Sequence, residues 1–179
     1  MELYLEKAEK HKKDCLFRLL QYSLYEESLT DGNDLNEEAL YAYPWFESYF
    51  TKEAEVRDAY FIKQQETGRL LGFAMVNAFV QKYSFGHSIA EFMVLPKYRR
   101  KQIGKKAAVL CFDRYPGPWE VSPSYGSKKA YQFWKAVIGA YTAQNYRYED
   151  GIFCFTKQTA METPMQKDRR QNNGKNQKK

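Results

Sequence analysis

Apolar and polar positions change period several times along the chain, and each change predicts a new element. Glu2 to Lys7 alternates and reads as a short strand, after which Cys15, Leu16, Leu19, Leu20 and Leu24 recur at helical spacing. Asp31-Gly-Asn-Asp34 breaks that helix, and the acidic, then aromatic stretch from Glu37 to Phe50 predicts one or two further short helices. Asp58 to Gln65 and Arg69 to Val80 form a hairpin about Glu66-Thr-Gly68, and His87 to Leu95 is a third extended segment ended by Pro96. Gly104 to Tyr115 turns helical and stops at Pro116-Gly-Pro118. Trp119 to Ser122 then reads as a strand, Ser127 to Ile138 as a helix, and Tyr141 to Tyr148 with Ile152 to Lys157 as a closing hairpin. This order predicts a mixed sheet with helices on both faces, an α/β or α+β domain.

Composition narrows the class. With 179 residues, 44% hydrophobic and 28% charged, the chain suits one soluble globular domain. The start shows no basic stretch followed by an apolar one, and the longest apolar run, near Leu70 to Val80, is far below the ~20 residues of a membrane span. A cytoplasmic protein without membrane contact is expected. Three widely spaced cysteines and two histidines suit reduced core thiols and leave no metal-ligand spacing, so no metal is expected. The net charge of +6 is uneven: from Gln158 onward six cations face Glu162 and Asp168, so the tail alone carries +4. That division predicts a domain over residues 1–157 and a basic, polar, disordered tail over 158–179.

Chemistry concentrates between Ala90 and Lys106, where a buried strand runs through a basic turn into a helix. A helix start offers unpaired N–H groups and the positive end of the dipole; Gly104 permits close approach there, and Arg99, Arg100, Lys101, Lys105 and Lys106 add charge. The turn reads as an anion cradle. An ATP-type phosphate loop fails on spacing, since Arg99 stands where its first glycine belongs and Lys106 where Ser or Thr belongs; no G-x-G-x-x-G is present either.

The segment resembles the GNAT superfamily of N-acetyltransferases. The signature Q/R-x-x-G-x-G/A is matched by Arg99, Gln102 and Gly104, preceded by Val94-Leu-Pro96 and Tyr98, with Gln102 in place of the usual first glycine. A second motif, Asn-x-x-Ala-x-x-Phe-Tyr, is similar to Ser127-Lys-Lys-Ala130-Tyr-Gln-Phe133-Trp134, so Ser127 and Trp134 replace Asn and Tyr. The resemblance spans roughly residues 57 to 157 and implies a central, mostly antiparallel sheet flanked by helices. It implies acetyl-CoA as co-substrate, its pantetheine arm held by Phe92, Met93 and Val94. The pyrophosphate would be held by Arg100, Lys101, Gln102, Ile103, Gly104 and Lys105, with Arg99 of the signature also cofactor-binding and a polar contact from Ser127.

An N–H near Val94 would polarise the thioester for direct attack by an amine, and the protonated amine needs a base. Glu91 is the candidate; by alternation it shares a face with His87, Ile89 and Met93. Trp cannot protonate the leaving thiolate, which leaves Tyr131, one turn back, or a water as the acid. The acidic stretch from Glu26 to Glu38 would face a small-molecule or peptide amine, and a homodimer is left open. Two rival readings are a GNAT-fold acyl-CoA sensor without turnover, motivated by Trp134 and Ser127, and a basic nucleic-acid-binding protein. The second is disfavoured, because outside the tail only +2 of the net charge remains.

Overall fold

The computed structural model describes residues 1–51 and 56–157; the tail expected from residue 158 lies outside them. Seven strands and three α-helices alternate in the order β1 (Leu3–Lys7), α1 (Lys13–Asp31), β2 (Arg57–Gln64), β3 (Leu70–Asn77), β4 (His87–Val94), α2 (Ile103–Arg114), β5 (Pro118–Val121), α3 (Lys128–Tyr141), β6 (Tyr146–Glu149) and β7 (Ile152–Thr156). They form one sheet in the order β1-β2-β3-β4-β5-β7-β6, in which every neighbouring pair is antiparallel except β4 with β5.

Helices cover both faces, as the alternation of apolar residues demands. On one face the α1 stripe Leu16, Leu19, Leu20 and Leu24 packs with Phe61, Phe73, Met75 and Met93 of the sheet. On the other, Cys111 and Phe112 of α2 and Trp134, Val137 and Ile138 of α3 close over Ala74, Val76, Val121 and Phe153. Cys111 and Cys154 are buried in this packing, as expected of core thiols.

Three elements differ from the sequence reading. Between Glu37 and Phe50 the only helical segment is a 3-10 turn at Glu47–Tyr49; aromatic packing of Phe46 and Tyr49 under α1 replaces helical repetition there. Helix α3 runs to Tyr141, where a strand was expected, because its apolar stripe continues; it ends at Thr142, whose hydroxyl donates back to the Ile138 carbonyl at 2.8 Å. Strand β3 stops at Asn77, short of Val80, because the Asn77 side chain accepts from the Phe79 N–H at 2.9 Å and the Ser88 hydroxyl at 2.9 Å and so turns the chain.

The parallel contact of β4 with β5 is short, only His87↔Trp119, Ser88↔Glu120 and Ile89↔Val121. Beyond it β5 ends while β4 continues beside β3 through Met93 and Val94. The sheet therefore opens in its middle. Gly72 on β3 makes the approach possible on the closed side, since a Cβ there would stand 2.0 Å from the Met93 carbonyl oxygen. Backbone cannot yield as a side-chain tip can, so Gly72→Ala is expected to destabilise at the upper end of the ~1–3 kcal/mol typical of overpacking or beyond. Denaturant unfolding measures the loss; an unchanged midpoint would show that the two strands part freely.

Candidate active site

A cavity of about 1230 Å³ occupies the opening. Its floor is the free part of β4, with Phe92, Met93 and Val94; Arg99, Arg100 and Gly104 border it from α2's side, and residues of α3 and its Ser127 cap, among them Lys128, Lys129, Phe133 and Trp134, and of α1, among them Glu26 and Glu27, complete the walls. The Leu95 N–H donates to the Leu71 carbonyl on β3 at 2.8 Å. By antiparallel alternation Met93 also turns its backbone polar groups to β3, whereas Phe92 and Val94 turn theirs toward the opening. Of the three arm-holding residues read from sequence, Phe92 presents a free N–H and C=O and Val94 a free N–H, its carbonyl accepting from Arg99 Nε at 2.7 Å, and Met93 contributes its side chain to the packing under α1.

The turn after β4 brings the start of α2 to the same cavity. Arg100 and Gln102 both hold positive φ, +60° and +61°, so Gln102 stands at a backbone position that glycine adopts most easily, which accounts physically for the glycine usual there. No side chain caps α2, and its first N–H groups stay available to an anion. Ile103 is a core residue packed with Ile62, Leu71, Val94 and Ala107 and can offer only its backbone N–H. Lys101 and Lys105 are exposed flanking charges outside the cavity lining.

Gly104 lines the cavity, and a Cβ on it would meet the Phe133 ring at 3.0 and 3.2 Å. The glycine thus serves α2–α3 packing as well as access. Ser127 lines the cavity too, while its hydroxyl caps α3 by accepting from the Ala130 N–H at 3.2 Å. Lys128 and Lys129, which sequence reasoning passed over, add two cations to the lining; paired lysines at a helix start facing a second phosphate-competent helix start were the available signal.

Glu91 is displaced from the face expected for it. Met75 pairs with Glu91 and Val76 with Ile89, so Ala90 is an extra residue in β4. The bulge sends Ile89 into the core beneath α2 and α3. His87 packs there at a tilt against Tyr115 and Trp119, with ring centroids at 4.8 and 5.5 Å. Glu91 instead joins Met93 on the α1 side, near Glu27, Asp31 and Tyr43. Burial, with the charges of Glu27 and then Asp31, pushes its carboxyl well above the ordinary glutamate range against a hydrogen bond from Tyr43. Burial likewise raises Glu27, whose carboxylate accepts from the Ser124 hydroxyl at 3.0 Å and so joins α1 to the loop before α3. The Tyr43 contact was not legible, since that residue lies in the irregular aromatic stretch.

Tyr131, the candidate acid, is not among the residues that line the cavity. Ala130, Phe133 and Trp134 face the cavity, and at ~100° per residue Tyr131 is turned off that face. Its ring lies on Phe153 and Tyr148, with centroids at 5.6 and 5.1 Å. Trp134 itself is packed against Phe92 and Phe133 at 5.1 and 4.9 Å. Among the described residues no cluster of three or more potential metal ligands occurs, and no helix is long and apolar enough to cross a membrane.

A mixed sheet that opens beside its one parallel pair, with an uncapped helix start at the opening, defines an acetyltransferase-type fold. The sequence model of the acetyltransferase (GNAT) family matches residues 21–118, more than half of the 179-residue chain, and the chain belongs to that family. The match includes the Arg99–Gly104 signature and stops before the Ser127–Trp134 motif. Among solved structures, YycN of Bacillus subtilis, assigned as an acetyltransferase, aligns with a TM-score of 0.59 at 14% identity over 90% of this chain and 100% of its own. The histone acetyltransferase HPA2 and related acetyltransferase of Corynebacterium glutamicum aligns with a TM-score of 0.60 at 11% identity, again over 90% and 100%. Both likenesses are of fold. No curated protein matches the chain by sequence.

Proposed function

We propose that the protein transfers an acetyl group from acetyl-coenzyme A to a primary amine by direct attack. The observation that carries this reading is the free edge of β4 beyond β5, next to the uncapped start of α2, on one cavity. Phe92 offers a backbone donor and acceptor, and Val94 a donor, of the kind an amide-bearing pantetheine arm requires. Arg100, Lys128, Lys129 and the α2 N–H groups fit its phosphates. Bound there, acetyl-coenzyme A supplies an activated acyl group as a thioester.

The chain's own groups then divide the chemistry. An edge N–H at Phe92 or Val94 faces the place where carbonyl oxygen charge develops. Glu91, its carboxyl raised by burial and its neighbours' charges, takes a proton from the amine near working pH. Glu27 and Asp31 beside it favour a cationic acceptor. No side-chain acid is assigned: a thiol has a pKa near ~8.5, so a thiolate leaves and is protonated by solvent.

Calorimetric titration of coenzyme A into the wild type and Arg100→Glu, paired with thiol release from acetyl-coenzyme A across an amine panel, tests the reading. Wild-type binding, at least about tenfold weaker in the variant, is expected, since reversing a charge beside phosphates costs at least ~1.4 kcal/mol. Binding without thiol release for any amine would favour the sensor reading that Trp134 motivates. No binding at millimolar coenzyme A would overturn both.

A further inference from the structure

Arg99 is the first residue of the signature, yet its guanidinium is engaged within the protein. Its Nε donates to the Val94 carbonyl at 2.7 Å, and its Nη2 donates to both oxygens of Glu26 at 2.8 and 2.7 Å. A relay thus runs from α1, through the turn after β4, to the last carbonyl of the open strand. The Val94 carbonyl is one of the edge groups that face the opening, so the relay withdraws it from the cavity and leaves the Phe92 groups and the Val94 N–H exposed. A carboxylate at this point is otherwise unexpected, because Glu26 lines the same cavity as Arg100, Lys128 and Lys129 and would weaken an anion site by simple charge.

We propose that Glu26 is a positioning residue for the pantetheine arm of coenzyme A: it orients Arg99, which holds the Val94 carbonyl and with it the end of the open strand. The physical need is entropic and geometric. Arg99 and Glu26 are each about two-fifths exposed, and a long side chain at such a site samples many rotamers unless a partner fixes it. Glu26 braces the guanidinium, and the planar group presents Nε to the carbonyl from one direction. This inference rests on the coenzyme A reading above.

The test separates positioning from charge. Coenzyme A and the β-methyl ester of 3′-phosphoadenosine 5′-diphosphate carry three phosphates of the same charge, but only the first has the arm, so the ratio of their affinities isolates what the arm contributes. Glu26→Gln and Arg99→Ala should each shrink that ratio at least about fivefold, the size of one lost hydrogen bond. The double variant should lose no more than Arg99→Ala alone, because the two residues act in series. Circular dichroism checks that each variant is folded. A ratio unchanged in Glu26→Gln, even with both affinities raised, would mean that Glu26 only tempers the charge at the phosphates, and the proposal falls. Losses that multiply in the double variant would also overturn it. Failure of the wild type to bind coenzyme A at all is a different result, which removes the functional reading itself.

Discussion

Glu91→Gln is expected to lower the turnover of acetyl transfer by about a hundredfold or more, the low end of what a positioned general base contributes, while coenzyme A affinity stays at the wild-type level. The amide keeps the shape and can still accept from Tyr43, so the loss reports proton transfer. In the wild type the rate rises with pH as the raised Glu91 carboxyl ionises, and in the variant that limb disappears. Stability moves the other way. Because the folded protein holds the Glu91 proton more tightly than the unfolded chain, the associated stability is complete below the ordinary glutamate value of 4.5. It is lost as pH rises through the raised value. The wild type therefore loses melting temperature between acidic and mildly alkaline buffer that Glu91→Gln retains. The variant should be the more stable protein at pH 8 and the less active one. Rates unaltered across pH would remove Glu91 from the chemistry, and parallel melting curves for the two proteins would show that its carboxyl pays no burial cost.

The second large effect concerns Glu120, which is 3% exposed and looks, by residue type, misplaced in a core strand. Its Oε1 accepts from the Lys82 and Tyr83 N–H groups at 2.6 and 2.9 Å and its Oε2 from that of Gln81 at 2.7 Å. One carboxylate thus satisfies three consecutive amides of the β3–β4 loop and ties that loop to β5. Glu120→Ala leaves all three without their acceptor and should cost about 3 kcal/mol or more. At ~2–4 °C per kcal/mol for a chain of this size, the melting temperature should fall by roughly 6–12 °C. Glu120→Gln keeps one acceptor oxygen but turns an NH₂ toward a donor, and should lie between the two. Ser88 pairs with Glu120 inside the short β4–β5 contact, so the loop and the point where the sheet opens are held together. A melting temperature within a degree of wild type for Glu120→Ala would mean that water replaces the carboxylate at no cost.

Much of this architecture was legible before any coordinates. The strand from His87, the basic turn and the helix near Gly104 follow from a period-2 run ended by proline and a return to helical spacing, and they lie where the spacing put them. Phe92, Val94, Arg100, Gly104 and Ser127 all reach the cavity. The placements that differ from the sequence reading share a cause. Tyr131 and the face of Glu91 were inferred by extending a regular period through a helix and a strand, and the strand is bulged at Ala90 while the helix is turned so that Trp134 carries the cavity side. Arg99 was read as a cofactor-binding residue from its place in the signature and its charge, and it pairs with Glu26, a carboxylate distant in the chain.

The sequence by itself determined the class of fold, the position of the anion-competent turn and the family, because these depend on local periodicity, on backbone freedom at a few positions and on motifs read within short spans. Only the tertiary structure decided where β5 leaves β4, which edge groups of the open strand stay free, and which carboxylates and tyrosine surround Glu91. Those features arise where segments far apart in sequence meet, and strand pairing, burial and hydrogen bonding across such distances leave no period in the chain to read.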